Sequence, residues 1–389
     1  MSNQHRIAPT PGQLICSLLL GSIAVLIVGV QPILLGALVD AHRLMLDDVG
    51  VMAMGEIITL GIGATIGGVL PLRHFRFIAI LSAMLCAVAD VATPLATSAM
   101  GLIGARALAG LAEGILLWTS TCIIVRTTAP SRIAGVFMVV QTLAQAGVAM
   151  LLANFALPRA GWAGGFYSLA ILSTFAAFLA LSQPAGLEPL RRTGNDAARR
   201  SWTLGNAFPL AVVFLEQATI GALWAYFDPL GQAIGLNAQA SQTMVSLVLV
   251  AQLFGGGLGA LAVNRISPLP GLTLSCMLLT GVALGIQALG YGESTRFMLL
   301  AMLLGFVWVF SFPFQIELCF KADPTGNVAT MVPAAQLLGS AFGPLIASFV
   351  IIGDDARPAT QISLIFGVLA ITLLLTGWRL TTRAWRRSA

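Results

Sequence analysis

Charge is scarce in this sequence. Only 35 of its 389 residues are Asp, Glu, Lys or Arg, which is 9%, against roughly 25% in a soluble domain. So few charges cannot cover a water-facing surface of that size, and a soluble globular protein is excluded. Histidine is scarcer still: His5, His42 and His74 are the three, all near ends or loops. General acid–base chemistry near neutral pH therefore has no imidazole inside the apolar runs. No HExxH, GxSxG or phosphate-loop motif occurs, so an enzyme is not expected. The five cysteines (Cys16, Cys86, Cys122, Cys276 and Cys319) lie singly in apolar runs without CxxC spacing. They read as packing residues rather than disulfides or metal ligands, and no cofactor is implied. Basic residues do not interleave with aromatics, which argues against nucleic acid as a partner. The short polar start has no small-residue cleavage site and reads as the lead into a first span.

What the chain has instead is apolar length: 58% of it is hydrophobic. A bilayer core of about 30 Å needs roughly 20 apolar residues per helix, and backbone facing lipid must be helical. Twelve spans are expected, at 14–38, 49–72, 75–95, 98–126, 131–155, 163–183, 205–228, 240–264, 270–290, 296–320, 327–352 and 360–380. Alternate loops then carry fifteen Lys or Arg on the side of both termini and four (Arg43, Arg159, Arg296, Arg357) on the other, with Arg106 inside the membrane. That bias places both termini in the cytoplasm. The net charge of +5 thus reads as topology.

The most polar segment, 184–203, contains LEPLRRTGNDAARR. It divides the chain into a first six-helix bundle (1–183), a cytoplasmic linker (184–203) and a second bundle (204–389). The halves echo each other. LGIGATIGG (60–68) in the second span precedes Arg73 and Arg76, and FGGGLGA (254–260) in the eighth precedes Arg265. Small residues so spaced let helices approach closely, and their repetition suggests a duplicated bundle.

Twelve spans as six plus six, with a basic central loop, resemble the major facilitator superfamily along the whole chain. Gly68-Val-Leu-Pro-Leu72-Arg73-His-Phe75-Arg76 keeps the first glycine and both arginines of the family's motif between the second and third spans. Leu72 and Phe75 replace its acid and second glycine. RALAGLAEG (106–114) is similar to the family's arginine-plus-glycine motif of the fourth span, which is associated with proton coupling. The glycine-proline motif of drug/proton antiporters is missing from the fifth span, while a similar GSAFGP (339–344) occurs in the eleventh. The resemblance implies an all-α membrane protein of two pseudo-symmetric bundles, rocking around a central site formed by the first, fourth, seventh and tenth spans.

Ionisable groups inside spans are costly and mark functional sites by default. Arg106 and Glu113 are two helical turns apart on one face. An arginine that holds or releases a carboxylate is the physical content of proton coupling, and a static ion pair is the alternative. Glu56 joins them as a cavity residue or a mouth residue. Glu216 lies midway along the seventh span on an apolar face, where the protonated acid is favoured. Asp90 reads as interfacial or structural. Gln217, Trp224 and Asp228 form a stripe by spacing that would suit a substrate wall. Gln31, Gln141, Gln145, Gln336 and Trp308 are further substrate-lining candidates, with interhelical hydrogen bonding the alternative for each amide. Arg73, Arg76, Arg265 and the Glu317–Lys321 pair read as gating residues, and Pro313 should kink the tenth span.

The expected function is secondary transport of a small organic solute across the cytoplasmic membrane, proton-coupled and monomeric, with lipid and protons as the other partners. Import and export both stand open, as do sodium coupling and plain facilitated diffusion, efflux of lipophilic compounds by proton antiport being the alternative. Copper uptake is a third reading, from Met298 and Met302 with His42 and Met45 at the outer mouth.

Overall fold

The computed structural model describes residues 9–188, 204–323 and 328–388, and every regular element among them is helical. Helix α1 (Pro11–Ala24) opens with a capping box, in which Thr10 Oγ1 accepts from the Gln13 amide and Gln13 Oε1 accepts from that of Thr10. The first span breaks at Val25 and continues as α2 (Leu26–Asp40), which carries Pro32. Then follow α3 (Val49–Gly67), α4 (Phe75–Leu95) and α5 (Ala99–Ile124), the last capped by Ser98. Helix α6 (Pro130–Leu151) runs through a π turn at Leu152–Ala156 into α7 (Leu157–Ala180). The seventh span is α8 (Leu204–Trp224) followed by the short α9 (Phe227–Ala233). After it come α10 (Ala238–Ala262), α11 (Pro268–Ala288) and a tenth span broken at Ser311 into α12 (Ser294–Phe310) and α13 (Phe312–Ala322). Helices α14 (Val332–Ser348) and α15 (Pro358–Ser388) complete the chain. Pro313, at the start of α13, breaks the tenth span where the sequence places a kink.

Eleven apolar helical runs among the described residues are long enough to cross a bilayer. One of them, Arg132–Ala180, has 49 residues. At 1.5 Å per residue that is ~70 Å, more than two bilayer cores. It is interrupted at Gly161 (φ 62°, ψ −165°), a conformation open essentially only to glycine. The run supplies two crossings, which makes twelve. The expected loop there is reduced to this single residue.

Packing divides the chain into two compact units, residues 1–30 with 59–191, and residues 31–58 with 192–389. The first and second spans each pass from one unit to the other part-way. The expected bundles 1–183 and 204–389 follow chain order, whereas packing groups 31–58 with the later spans. Most of the expected linker, 189–203, lies outside the described residues.

Both glycine-rich motifs do the same work, each in its own unit. A Cβ on Gly63 would overlap the Leu111 carbonyl, and one on Gly114 would overlap that of Leu60, so α3 and α5 meet backbone to backbone. In the second unit, Gly255 and Gly259 of α10 lie against the Phe306 and Phe310 carbonyls of α12. Such contacts gain dispersion energy only where side chains are absent.

The turn between the second and third spans is held by the chain that follows α7. Leu187 N donates to Leu72 O (2.9 Å), and Arg76 Nε to Gln183 O (2.6 Å). From the end of α5, a guanidinium nitrogen of Arg126 donates to Glu188 O (2.8 Å). Arg76→Ala with Arg126→Ala is therefore expected to release 183–188. Amide hydrogen exchange at Leu187, whose N–H donates to Leu72 O, should then accelerate, with thermal stability nearly unchanged. An unchanged exchange rate would show that these arginines do not hold the segment.

Candidate functional site

The first unit buries one cation between two carboxylates. Arg106 on α5 is fully buried and donates from a terminal nitrogen to Asp90 Oδ1 of α4 at 2.7 Å. Its other terminal nitrogen lies 3.7 Å from Glu113 Oε1, one end of a side chain that is 10% exposed. Ser173 of α7 donates to Asp90 Oδ2 at 2.9 Å, and the guanidinium lies over the Phe166 ring at 5.3 Å. The expected Arg106–Glu113 pair is present but is the longer of the two contacts. Asp90 is buried rather than interfacial, and it is the nearer partner. The sequence held a signal for this: α4 ends five residues after Asp90, and α5 begins seven residues before Arg106, so a tight hairpin brings the two to one depth. The full hydrogen bonding of Asp90 is what makes its burial tolerable, since an isolated carboxylate in hydrocarbon is prohibitive.

The second unit holds a carboxylate of a different kind. Glu216 of α8 is fully buried, and Gln315 Nε2 of α13 donates to its Oε2 at 3.0 Å. The same amide nitrogen lies 3.2 Å from Ser311 Oγ. Gln336 Nε2 of α14 donates to Gln315 Oε1 at 2.7 Å. One residue along α8, Gln217 Oε1 accepts from Ser340 Oγ at 3.4 Å. Three elements converge here because α8 and α14 pack at van der Waals limits: Gly221 lies against the Ser340 carbonyl, Gly339 against Phe214 and Gly343 against Ala218. The GSAFGP segment is thus a packing motif for the eleventh span. Gln315 is one of the amides that recur in the spans, but nothing in the sequence tied it or Ser311 to Glu216.

Towards the far end of α8 the aromatic candidates meet. Trp224 and Trp308 are edge to face at 5.3 Å, and Phe227 bridges from Trp224 (5.7 Å) to Phe297 (5.1 Å). The helical stripe from Gln217 through Trp224 to Asp228 does not persist, because the helix breaks after Trp224. Asp228, on α9, is fully buried instead against α2, the second half of the first span. Gly36 leaves room for its carboxylate, while Gln242 Nε2 (3.3 Å) and Gln232 Nε2 (3.4 Å) donate to it. Gln232 also donates to Asp40 at 3.0 Å. Among the loop acids, Asp48 is raised from its ordinary value, first by partial burial and then by Asp47 beside it.

The other candidates divide. Gln145 Nε2 of α6 donates to Val25 O at 2.6 Å, bonding the carbonyl at the break in the first span. Gln141 is half-buried with its amide on Met138 Sδ. Gln31 and Glu56 are buried in the second unit. Arg73 and Arg265 are exposed, and Arg76 holds the segment after α7. The expected Glu317–Lys321 pair is not formed: Glu317 is half-buried, Lys321 is exposed, and no ion pair joins them among the described residues. An exposed i,i+4 pair gains about 0.3–0.5 kcal/mol, too little to order two long side chains.

No protein-family model and no curated protein matches the sequence. Solved structures match its fold along nearly the whole chain. A mutant of the nucleoside transporter NupG superposes with a TM-score of 0.74 at 12% identity, covering 94% of this chain and 98% of that one. A POT family transporter in complex with 5-aminolevulinic acid gives 0.73 at 12% identity, with 96% of each chain covered. The xylose transporter XylE from E. coli, in a partially occluded inward-open conformation, gives 0.65 at 15%, covering 93% and 97%.

Proposed function

We propose that the chain, whose fold is shared with transporters such as NupG and XylE, moves a small organic solute across the cytoplasmic membrane by alternating access, driven by protons. One observation carries the coupling: a fully buried carboxylate, Glu216, whose side-chain hydrogen-bond partners, Gln315 and Ser311, are neutral and which forms no ion pair among the described residues. A carboxylate midway along a span without a fixed cation is free to change its charge during the cycle, and Asp228, bonded to the amides of Gln242 and Gln232, shares that property. Glu113 is the second proton carrier. Its contact with Arg106 is the looser one, so a proton there is exchanged without breaking the Asp90 bond. Glu56 is a third acid in reserve.

Gln31, Gln217, Trp224, Trp308 and Gln336 are the substrate wall. Amides with indole rings suit an uncharged or zwitterionic solute with a flat or apolar face. Gln141 and Gln145 drop behind these, Gln145 being committed to Val25. The aromatic group Trp224, Trp308, Phe227 and Phe297 supports the second reading, export of lipophilic compounds by proton antiport. Arg73 and Arg265 stay as gating residues at the basic loops, which face the cytoplasm with both termini. The chain works as a monomer.

The test is uptake into proteoliposomes of a panel taken from the fold relatives' chemistry (nucleosides, pentoses and 5-aminolevulinic acid) plus lipophilic cations, with and without a pH gradient. Glu216→Gln is expected to abolish gradient-driven accumulation while exchange of internal for external solute continues. Accumulation by Glu216→Gln at the wild-type level would remove Glu216 from the coupling.

A further inference from the structure

We propose that Gln315 is a positioning residue that converts the protonation state of Glu216 into the hydrogen-bonding face that Gln336 shows to the solute. This rests on the proton-coupled reading above. The three side chains form a line with a direction. Gln336 donates to Gln315 (2.7 Å), and Gln315 donates to Glu216 (3.0 Å), so each amide turns its N–H groups toward the acid. A carboxylate requires that direction, because it only accepts. Glu216, Gln315 and Ser311 are all fully buried, and Gln336 at the far end is half-buried.

A carboxylic acid reverses the demand, because it brings a proton that must be donated. Gln315 meets it by a half-turn of its terminal amide, a torsion with two roughly equivalent settings. Its carbonyl then accepts from Glu216, and its NH2 group faces Gln336. Two facing NH2 groups would leave buried donors unsatisfied, at about 1–3 kcal/mol each. Gln336 therefore turns too, and its outward atom changes from carbonyl oxygen to NH2. Ser311 accommodates both settings by rotation of its hydroxyl: it accepts from Gln315 while donating to Trp308 O (2.9 Å), and it turns to donate to the Gln315 carbonyl once that amide has flipped. One proton on α8 is read as acceptor-to-donor exchange on α14.

Other charges do not confuse the switch. Of the elements packed on α8, α11 brings Cys276 within electrostatic range of Glu216. Helix α13 carries Glu317, Cys319 and Lys321 beyond Gln315, and α14 and α15 up to Gly377 carry no titratable side chain.

The experiment needs no substrate. Infrared difference spectra are recorded on a pH step for protein in lipid bilayers, with glutamine side chains isotopically labelled. Wild type should give a hydrogen-bonded carboxylic acid band that is lost in Glu216→Gln, together with a glutamine amide band. In Gln315→Met, close in volume, the acid band should move to the frequency of a free acid and the glutamine band should vanish. In Gln336→Met the acid band should persist and the glutamine band should shrink. An acid band unmoved in Gln315→Met, or a glutamine band absent from wild type, overturns the relay alone. A wild-type acid band that survives in Glu216→Gln overturns the coupling reading beneath it. Native-like helical amide bands in each variant exclude misfolding.

Discussion

Replacement of Arg106 by glutamine is expected to destabilise the first unit by about 3–5 kcal/mol, the cost of removing one member of a buried ion pair. The variant leaves Asp90 and Glu113 side by side in the interior with their cation gone. Asp90 keeps one bond, from Ser173, which is too little for a buried charge. The loss is read as the fraction of monodisperse protein surviving graded heating in detergent. Asp90→Asn added to Arg106→Gln should restore most of it, because the pair is then neutral and amide can bond amide. Full stability in the single variant would mean that Arg106 is not committed to Asp90. Glu113→Gln should be much milder, since its contact is longer and its side chain reaches the unit's edge.

The second large effect falls on transport. Gly50 of α3 lies against the Pro344 carbonyl of α14 so closely that a Cβ would overlap backbone. Gly343, one residue before Pro344, faces the Ala218 carbonyl of α8 in the same manner. Overpacking of this kind costs about 1–3 kcal/mol, but the two sites should register it differently. Gly343 joins two helices of the later spans that stay together through the cycle, so Gly343→Val lowers stability. Gly50 belongs in chain order to the first bundle, and under alternating access its seam with α14 opens and closes. Gly50→Val therefore penalises one state of the cycle, which shifts that population by roughly 5- to 150-fold, and turnover falls while heat stability stays near wild type. Equal loss of stability in both variants would show that the Gly50 seam does not move.

Lipid explains how much of this was legible. Each span had to be apolar helix, so most observed ends lie within a few residues of the expected ones, but α3 ends five residues sooner, α7 begins six residues earlier and α15 runs eight residues further. The breaks at Val25 and after Trp224 were not legible, because the apolar run passes through them unaltered. The break at Ser311 was, because proline announces it. The Arg106–Glu113 contact followed from seven-residue spacing along one helix. Asp90 required knowing that the α4–α5 hairpin is tight, and Gln315 required knowing which face α13 turns to α8. Glu317 and Lys321 had the right spacing and no reason to pair, since spacing permits a contact and burial is what enforces it.

The division of the chain into units also sets a timetable for synthesis. Residues 31–58 pack with partners as late as Pro344, roughly 290 residues further on. At about 5–20 residues per second, the ribosome delivers those partners roughly 15–60 s after the second span. Until Asp228 arrives against Gly36, roughly 190 residues on, residues 31–58 stand in the membrane beside lipid or another protein, and their packing is completed only with α14. Residues 31–58 are therefore among the last parts of the first spans to reach their final packing, and a chain cut short before α14 leaves them incompletely packed.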